Sequence, residues 1–287
     1  MRTSPTRRHL LAGLGALAVA GCATRPPPRR PPATAMPVTD PALLGLDAVI
    51  DIHHTDPVSD VRTARLDGRI LAVIHKATEG VGWVDPLYAR RRIEAEAAGL
   101  LWGAYHFGTA EHPGAEQAAA FLDAVRPGPA TLMALDLELN ERHPDNTMDL
   151  ARAEDFVQTI VAATGRMPLL YTHPAWADGD PLGGHGRSLG GAIRRGSALA
   201  ACDLWLVDYR DRPELPSAWA GRGWHFWQYA GAERNGGPFQ ASTRRVAGVA
   251  RCDRNLFAAD EAALLRYWGM PAADYQRSRL RQDLAPA

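Results

Sequence analysis

From about residue 44 onward, short apolar runs rich in β-branched and aromatic residues alternate with stretches whose apolar positions recur every three or four residues. That alternation is the pattern of a sheet assembled from parallel strand and helix units. The runs predict strands over residues 48 to 54 (AVIDIHH), 70 to 78, 101 to 107, 131 to 140, 168 to 174, 203 to 210, 224 to 230 and 249 to 257. Helical spacing covers residues 85 to 98, 115 to 125, 149 to 164 and 259 to 268, while the connections between the last strands are short or irregular. Eight strands with so few helices predict an α/β fold, a TIM-like eight-stranded barrel with an incomplete helical ring. No internal repeat is present, and from Pro271 the chain reads as a loose polar tail.

The first 43 residues break this pattern. A basic start leads into an apolar run from Leu10 to Gly21 that is too short to span a bilayer comfortably, which is the layout of an export signal. Thr6 to Leu11 (TRRHLL) resembles a twin-arginine signal, and Val19-Ala20-Gly21-Cys22 resembles a bacterial lipobox in which Cys22 is lipidated. The RPPPRRPPATAMP segment that follows cannot continue a helix and reads as a stiff, extended tether. The expected organisation is therefore a lipoprotein export signal over 1–22, a Pro/Arg-rich tether over 23–43, the barrel over 44–270 and the tail over 271–287. Ala23 after the cysteine points to the outer membrane and periplasm in a host that has them.

Composition narrows the function. The 287 residues are 46% hydrophobic with a formal net charge of zero, enough for one sizeable core and with no bias toward a nucleic-acid partner. A monomer touching the membrane only through its lipid anchor is expected. Nearly all basic residues are arginine; Lys76 stands alone, which hints that a compact ammonium is needed against a cleft carboxylate. With Cys22 taken by lipid, Cys202 and Cys252 either pair, as export permits, or stay free.

In a barrel of this kind the chemistry sits at the C-terminal ends of the strands. The segment MALDLEL puts Asp136 and Glu138 on one strand face and Leu135, Leu137 and Leu139 on the other. Two like charges so close disfavour double ionisation, so one carboxyl should hold its proton to higher pH. Such a pair is what glycosidic bond cleavage needs. The VIDIHH segment raises a metal alternative, but adjacent His53 and His54 face opposite sides, and only Asp51 and His53 share a face. His75, His106 and His173 read as hydrogen-bonding wall residues. Asp51 is then a third acid near the pair, and no metal is expected. Among the aromatic and amide residues near strand ends, Tyr105, Tyr171, Tyr209 and Gln228 are the candidates for the cleft, since sugar faces stack on such rings.

Taken in order, VIDIHH, KATEG (from Lys76), GAYHF (from Gly103), LDLE (from Leu135), YTHPAW (from Tyr171), LWLVDY (from Leu204), WQY (from Trp227) and DRNLF (from Asp253) resemble glycoside hydrolase family 25, lysozymes that cut peptidoglycan glycan strands. The resemblance spans about residues 46 to 268. It implies a (β/α)5(β)3 barrel without cofactor that cleaves the β-1,4 bond between N-acetylmuramic acid and N-acetylglucosamine. It further implies Glu138 as general acid, Asp136 assisting the substrate's own N-acetyl group, and Asp51 and Asp253 completing an acidic cleft. The family commonly carries a serine and then a glutamine after the first-strand aspartate; here Ile52, His53 and His54 follow. The glycine-rich, basic stretch over residues 179 to 196 reads as a mobile loop over the cleft whose arginines either meet peptide-stem carboxylates or are simply solvated. A non-catalytic peptidoglycan-binding lipoprotein and a metal-dependent hydrolase or deacetylase are the alternatives.

Overall fold

The computed structural model describes residues 38, 40–182, 186–232, 238–239, 245–250 and 252–269. The expected export signal, Cys22, most of the tether and the polar tail lie outside the described residues. The last tether residues belong to the fold: Pro41–Leu43 form a 3-10 turn, capped by Asp40, with Pro41 buried.

Among the described residues, nine strands form one sheet. In chain order they are β1 (Leu46–Ile52), β2 (Ala72–Glu79), β3 (Trp83–Val84), β4 (Leu101–Phe107), β5 (Thr131–Asp136), β6 (Leu169–Thr172), β7 (Asp203–Val207), β8 (Phe226–Ala230) and β9 (Asp253–Phe257). Pairing of β1 with β2 closes the barrel through eight of them, and β3 folds back on β2 as an outlying hairpin arm. The helices are α1 (Val61–Leu66), α2 (Tyr88–Ala97), α3 (Gly114–Val125), α4 (Leu150–Thr164), the single turns α5 (Pro174–Ala177) and α6 (Ala198–Ala201), and α7 (Glu261–Tyr267). Between β7 and β8 there is only a 3-10 turn, Ser217–Trp219, so the helical ring is incomplete where the sequence lacks helical spacing.

One expectation from the strand pattern is corrected. The sheet is not parallel throughout, because β9 runs antiparallel to both β8 and β1. A parallel return needs a crossover to the opposite end of the sheet, whereas an antiparallel strand starts at the end where its predecessor stopped. Asp253, the first residue of β9, therefore lies opposite Asp51 at the barrel mouth.

Alternation along the strands divides the core in two. Val49, Ile74, Leu132, Leu169, Trp205 and Phe226 pack inside the barrel, while Ile50, Val73, Leu135, Leu170 and Leu204 pack outward. The outward layer meets helices such as α4, whose buried Ala153, Phe156, Val157 and Ile160 fall on one stripe. Asp149 caps the start of that helix and Gly165, at φ 68°, ends it in the left-handed conformation that glycine tolerates. Trp268, fully buried just after α7, packs with the inner layer. Its Nε1 donates to the Trp102 carbonyl at 2.9 Å. Gly103 makes room for it, since a Cβ there would lie 3.3 Å from its ring.

Trp268→Ala should cost about 3–5 kcal/mol, the usual range for emptying a buried aromatic site. Urea unfolding followed by circular dichroism would measure it, and a loss under about 1 kcal/mol would show that the ring does not support the inner layer.

Candidate active site

Asp136 is the last residue of β5, and the chain keeps its alternation for a few residues more because Leu137 N donates to the Tyr171 carbonyl at 3.0 Å. Leu135, Leu137 and Leu139 are all buried in the outward layer, which leaves Asp136 and Glu138 on the barrel side. Asp136, Glu138, Asp51, Asp253, Tyr105, Tyr171, Tyr209 and Gln228 all line one cleft of about 1070 Å³. Every residue proposed for the site from sequence thus reaches a single cavity.

The acids are unequal. Asp136 is only 7% exposed, and its Oδ1 has no hydrogen-bond partner among the described residues. Burial first, and the neighbouring Glu138 carboxylate second, push its pKa well above the ordinary carboxylate range, with the Lys76 ammonium pulling the other way. Asp51 is likewise raised by burial and by Asp253, against hydrogen bonds from Asn255 and Gln228. Burial also raises Tyr105 and Tyr171, which have carboxylates as neighbours. The lone lysine meets a cleft carboxylate: Lys76 Nζ donates to Glu79 Oε2 at 2.6 Å and lies 4.7 Å from the centre of the Phe107 ring and 5.1 Å from that of Trp83.

The histidines divide by face. His75 and His106 point outward: His75 stacks on Trp102 and lies 3.2 Å from Arg91 Nη1, and His106 stacks on Phe156 between Thr78 and Gln117. Burial lowers the pKa of each to about 4. His173 caps α5 by accepting from Ala175 N. His53 and His54 line the cleft rim, where His54 Nδ1 lies 3.2 Å from buried Asp85. Among the described residues no three His, Cys, Asp or Glu side chains group as a metal site. Cys202 and Cys252 are both free, and burial pushes both thiols up to about 12.

The glycine-rich stretch is described except for residues 183–185. Leu182 lines the cleft, and Leu189 and Ile193 are buried, with Ile193 N donating to the Ala177 carbonyl at 2.8 Å. Arg187 pairs with Asp145, and Arg195 Nε donates to the Ser217 carbonyl. Protein groups therefore engage two of its arginines, and Ile193 anchors the described stretch to α5.

Sequence reasoning did not single out Trp83, Asn140 or the rim residues Thr109, Glu111 and His112, which also line the cleft. A signal for Trp83 exists. Gly80-Val81-Gly82 forms a short glycine-rich connection after β2, the layout of a hairpin that folds back on its strand.

A closed barrel with acids gathered at its mouth is the setting of a glycoside-cleaving enzyme family, and the comparisons agree. The profile of glycosyl hydrolases family 25 matches residues 50–237, and the chain belongs to that family. It is similar to lysozyme M1 of Streptomyces globisporus, 26% identical over 231 residues, covering 75% of this chain and 69% of that protein. It is also similar to YegX of Escherichia coli K12, 27% identical over 161 residues, covering 54% of this chain and 51% of YegX, so the chain spans about half the length of that relative. Among solved structures, a lysozyme from Streptomyces coelicolor superposes with a TM-score of 0.62 at 26% identity, over 77% of this chain and 95% of that one. A family 25 lysozyme from Aspergillus fumigatus superposes with a TM-score of 0.59 at 25% identity, over 78% and 99%.

The raised Asp136 pKa carries a stability prediction. The folded state favours the protonated form, so ionisation costs stability that is intact below the ordinary aspartate value of about 3.9 and is lost as pH rises through the folded value. Asp136→Asn should therefore be more stable than the parent at pH 7, on the order of 1 kcal/mol, with the difference vanishing in strong acid. Thermal unfolding between pH 3 and 8 checks this; a variant that is less stable at pH 7 would contradict it.

Proposed function

We propose that the protein is a peptidoglycan hydrolase cleaving the β-1,4 bond between N-acetylmuramic acid and N-acetylglucosamine. The observation that carries this reading is the Asp136 and Glu138 pair on one wall of the cleft. A cleft of about 1070 Å³ lies at or above the upper end of the ~300–1,000 Å³ usual for small-molecule pockets, which suits an extended polymer. Similarity to solved lysozymes supports this reading.

In this reading Glu138, half-buried and two residues further along the chain, gives its proton to the leaving glycosidic oxygen. Asp136 holds the substrate's N-acetyl group so that its carbonyl oxygen attacks the anomeric carbon as the bond to the leaving sugar breaks. Water then opens the cyclic intermediate, and Glu138 takes back a proton from it. Asp51 and Asp253 supply negative potential to the positive sugar centre. No cofactor takes part. The same proposal places the enzyme at the cell envelope, exported and held by lipid on Cys22.

Glu138→Gln should slow cleavage of natural glycan by about 10² to 10⁴, the range for a lost general acid, and spare substrates with a very good leaving group. Asp136→Asn should slow both kinds. Mass spectrometry of digested peptidoglycan is the deciding experiment: fragments with reducing-end N-acetylmuramic acid are expected. Reducing-end N-acetylglucosamine would assign another bond, and binding without any release would make the protein a glycan-binding lipoprotein.

Cys22→Ser should leave the chain unprocessed or release it from membranes. Unchanged mass and membrane fractionation would remove the lipid anchor from the proposal.

A further inference from the structure

Two buried carboxamides meet the carboxylate of Asp51, and each has donors behind it that fix its orientation. Asn255 is fully buried. Its Oδ1 accepts from Trp205 Nε1 at 2.7 Å, and its Nδ2 donates to Asp51 Oδ2 at 2.7 Å. An indole N–H can only donate, so a flipped Asn255 would set donor against donor and turn its oxygen toward the carboxylate. Gln228 Oε1 accepts the hydroxyls of Tyr171 at 3.0 Å and Tyr209 at 2.9 Å. Its Nε2 then faces Asp51 at 3.1 and 3.2 Å and Asp253 Oδ2 at 3.3 Å.

We propose that Trp205, Asn255, Gln228, Tyr171 and Tyr209 form a clamp that aims Asp51 into the cleft and opposes its protonation. Asn255 and Gln228 are positioning residues, and the two tyrosines act through Gln228 instead of binding sugar with their hydroxyls. This assigns Tyr171, Tyr209 and Gln228 a different task from the substrate contact that the sequence suggests. It deepens the glycan-hydrolysis reading, on which its functional meaning rests.

The need for a clamp follows from the surroundings of Asp51. Asp253 faces it from β9, Asp56 from the loop after β1, and Asp136 lies beyond on β5. The phenols of Tyr105 on β4 and Tyr171 on β6 complete this wall, and Lys76 on β2 is engaged by Glu79. Burial and acidic neighbours favour the protonated form, whereas donated hydrogen bonds favour the ionised one. A neutral Asp51 would lose the charge that the positive sugar centre requires. Amides oppose protonation without bringing a cation into the cleft.

The test is the Asp51 titration itself, read by carboxyl 13C NMR and assigned by comparison with Asp51→Asn. Removing donors to the charged form raises its pKa, so Asn255→Ser and Gln228→Met should each move it up by about one pH unit, a tenfold change. Trp205→Phe, which frees Asn255 without touching Asp51, and the Tyr171→Phe/Tyr209→Phe double variant, which frees Gln228, should move it in the same direction; these variants carry the test if the first two fail to fold. An Asp51 titration that stays put in the folded variants overturns the clamp. So does a Tyr209→Phe enzyme with a raised KM and an unmoved pH profile, the mark of direct substrate contact. Turnover is measured separately: a parent protein that releases nothing from purified peptidoglycan removes the hydrolase reading, whereas an active parent with an unmoved titration removes the clamp alone.

Discussion

Everything at the mouth of this barrel answers to one electrostatic constraint. Asp51 and Asp136 are both buried, and Asp253 and Glu138 stand beside them with the same sign. Carboxylates in such a place either keep their protons or recruit donors. The two buried acids respond differently. Asp51 accepts from two amides, while one oxygen of Asp136 has no partner among the described residues. A buried acceptor left open in a cleft is costly by itself, and a donor brought by the substrate would satisfy it. Among the described residues, folding gives one acid its donors and leaves one oxygen of the other open.

The reversal of β9 makes that arrangement possible. Were the last strand parallel, its first residues would sit at the floor beside Trp268, and Asp253 would be lost to the mouth. Running antiparallel, it places Asp253 opposite Asp51 and Asn255 opposite Gln228. It thereby delivers an acid and one of the two amides from five consecutive residues. At the opposite end Trp268 packs against Phe226 and fits beside Gly103.

Much of this was legible in the sequence because alternation is local. MALDLEL alone fixes which residues face inward, and the strand ends carry the acids in chain order. The β4 range and the long helices fall within a few residues of their predicted bounds. Pairing is not local in this sense. Asn255 and Asp51 lie 204 residues apart, and Gln228 and Asp51 lie 177 apart. No periodicity tells which of several strand-end polar groups will touch, or whether a hydroxyl points at substrate or at another side chain. The direction of β9 was also hidden, since the alternation of a strand reads alike forward and backward; only its connection decides. The two-residue β3 is too short to show a period at all.

The segment that follows the first strand carries two histidines at the rim of the cleft. The backbone at His53 and His54 is tightly held. Arg91 of α2 donates to the carbonyls of His53 and Asp56, each at 2.7 Å, and buried Asp85 accepts from His54 N at 2.8 Å. Burial lowers the His53 pKa, so the rim gains imidazole surface without a fixed charge beside Asp51. α2 and the loop before it thus fix the backbone just after Asp51, which stays in register with β2 and β9. This edge of the cleft and the acid cluster are held by different sets of hydrogen bonds.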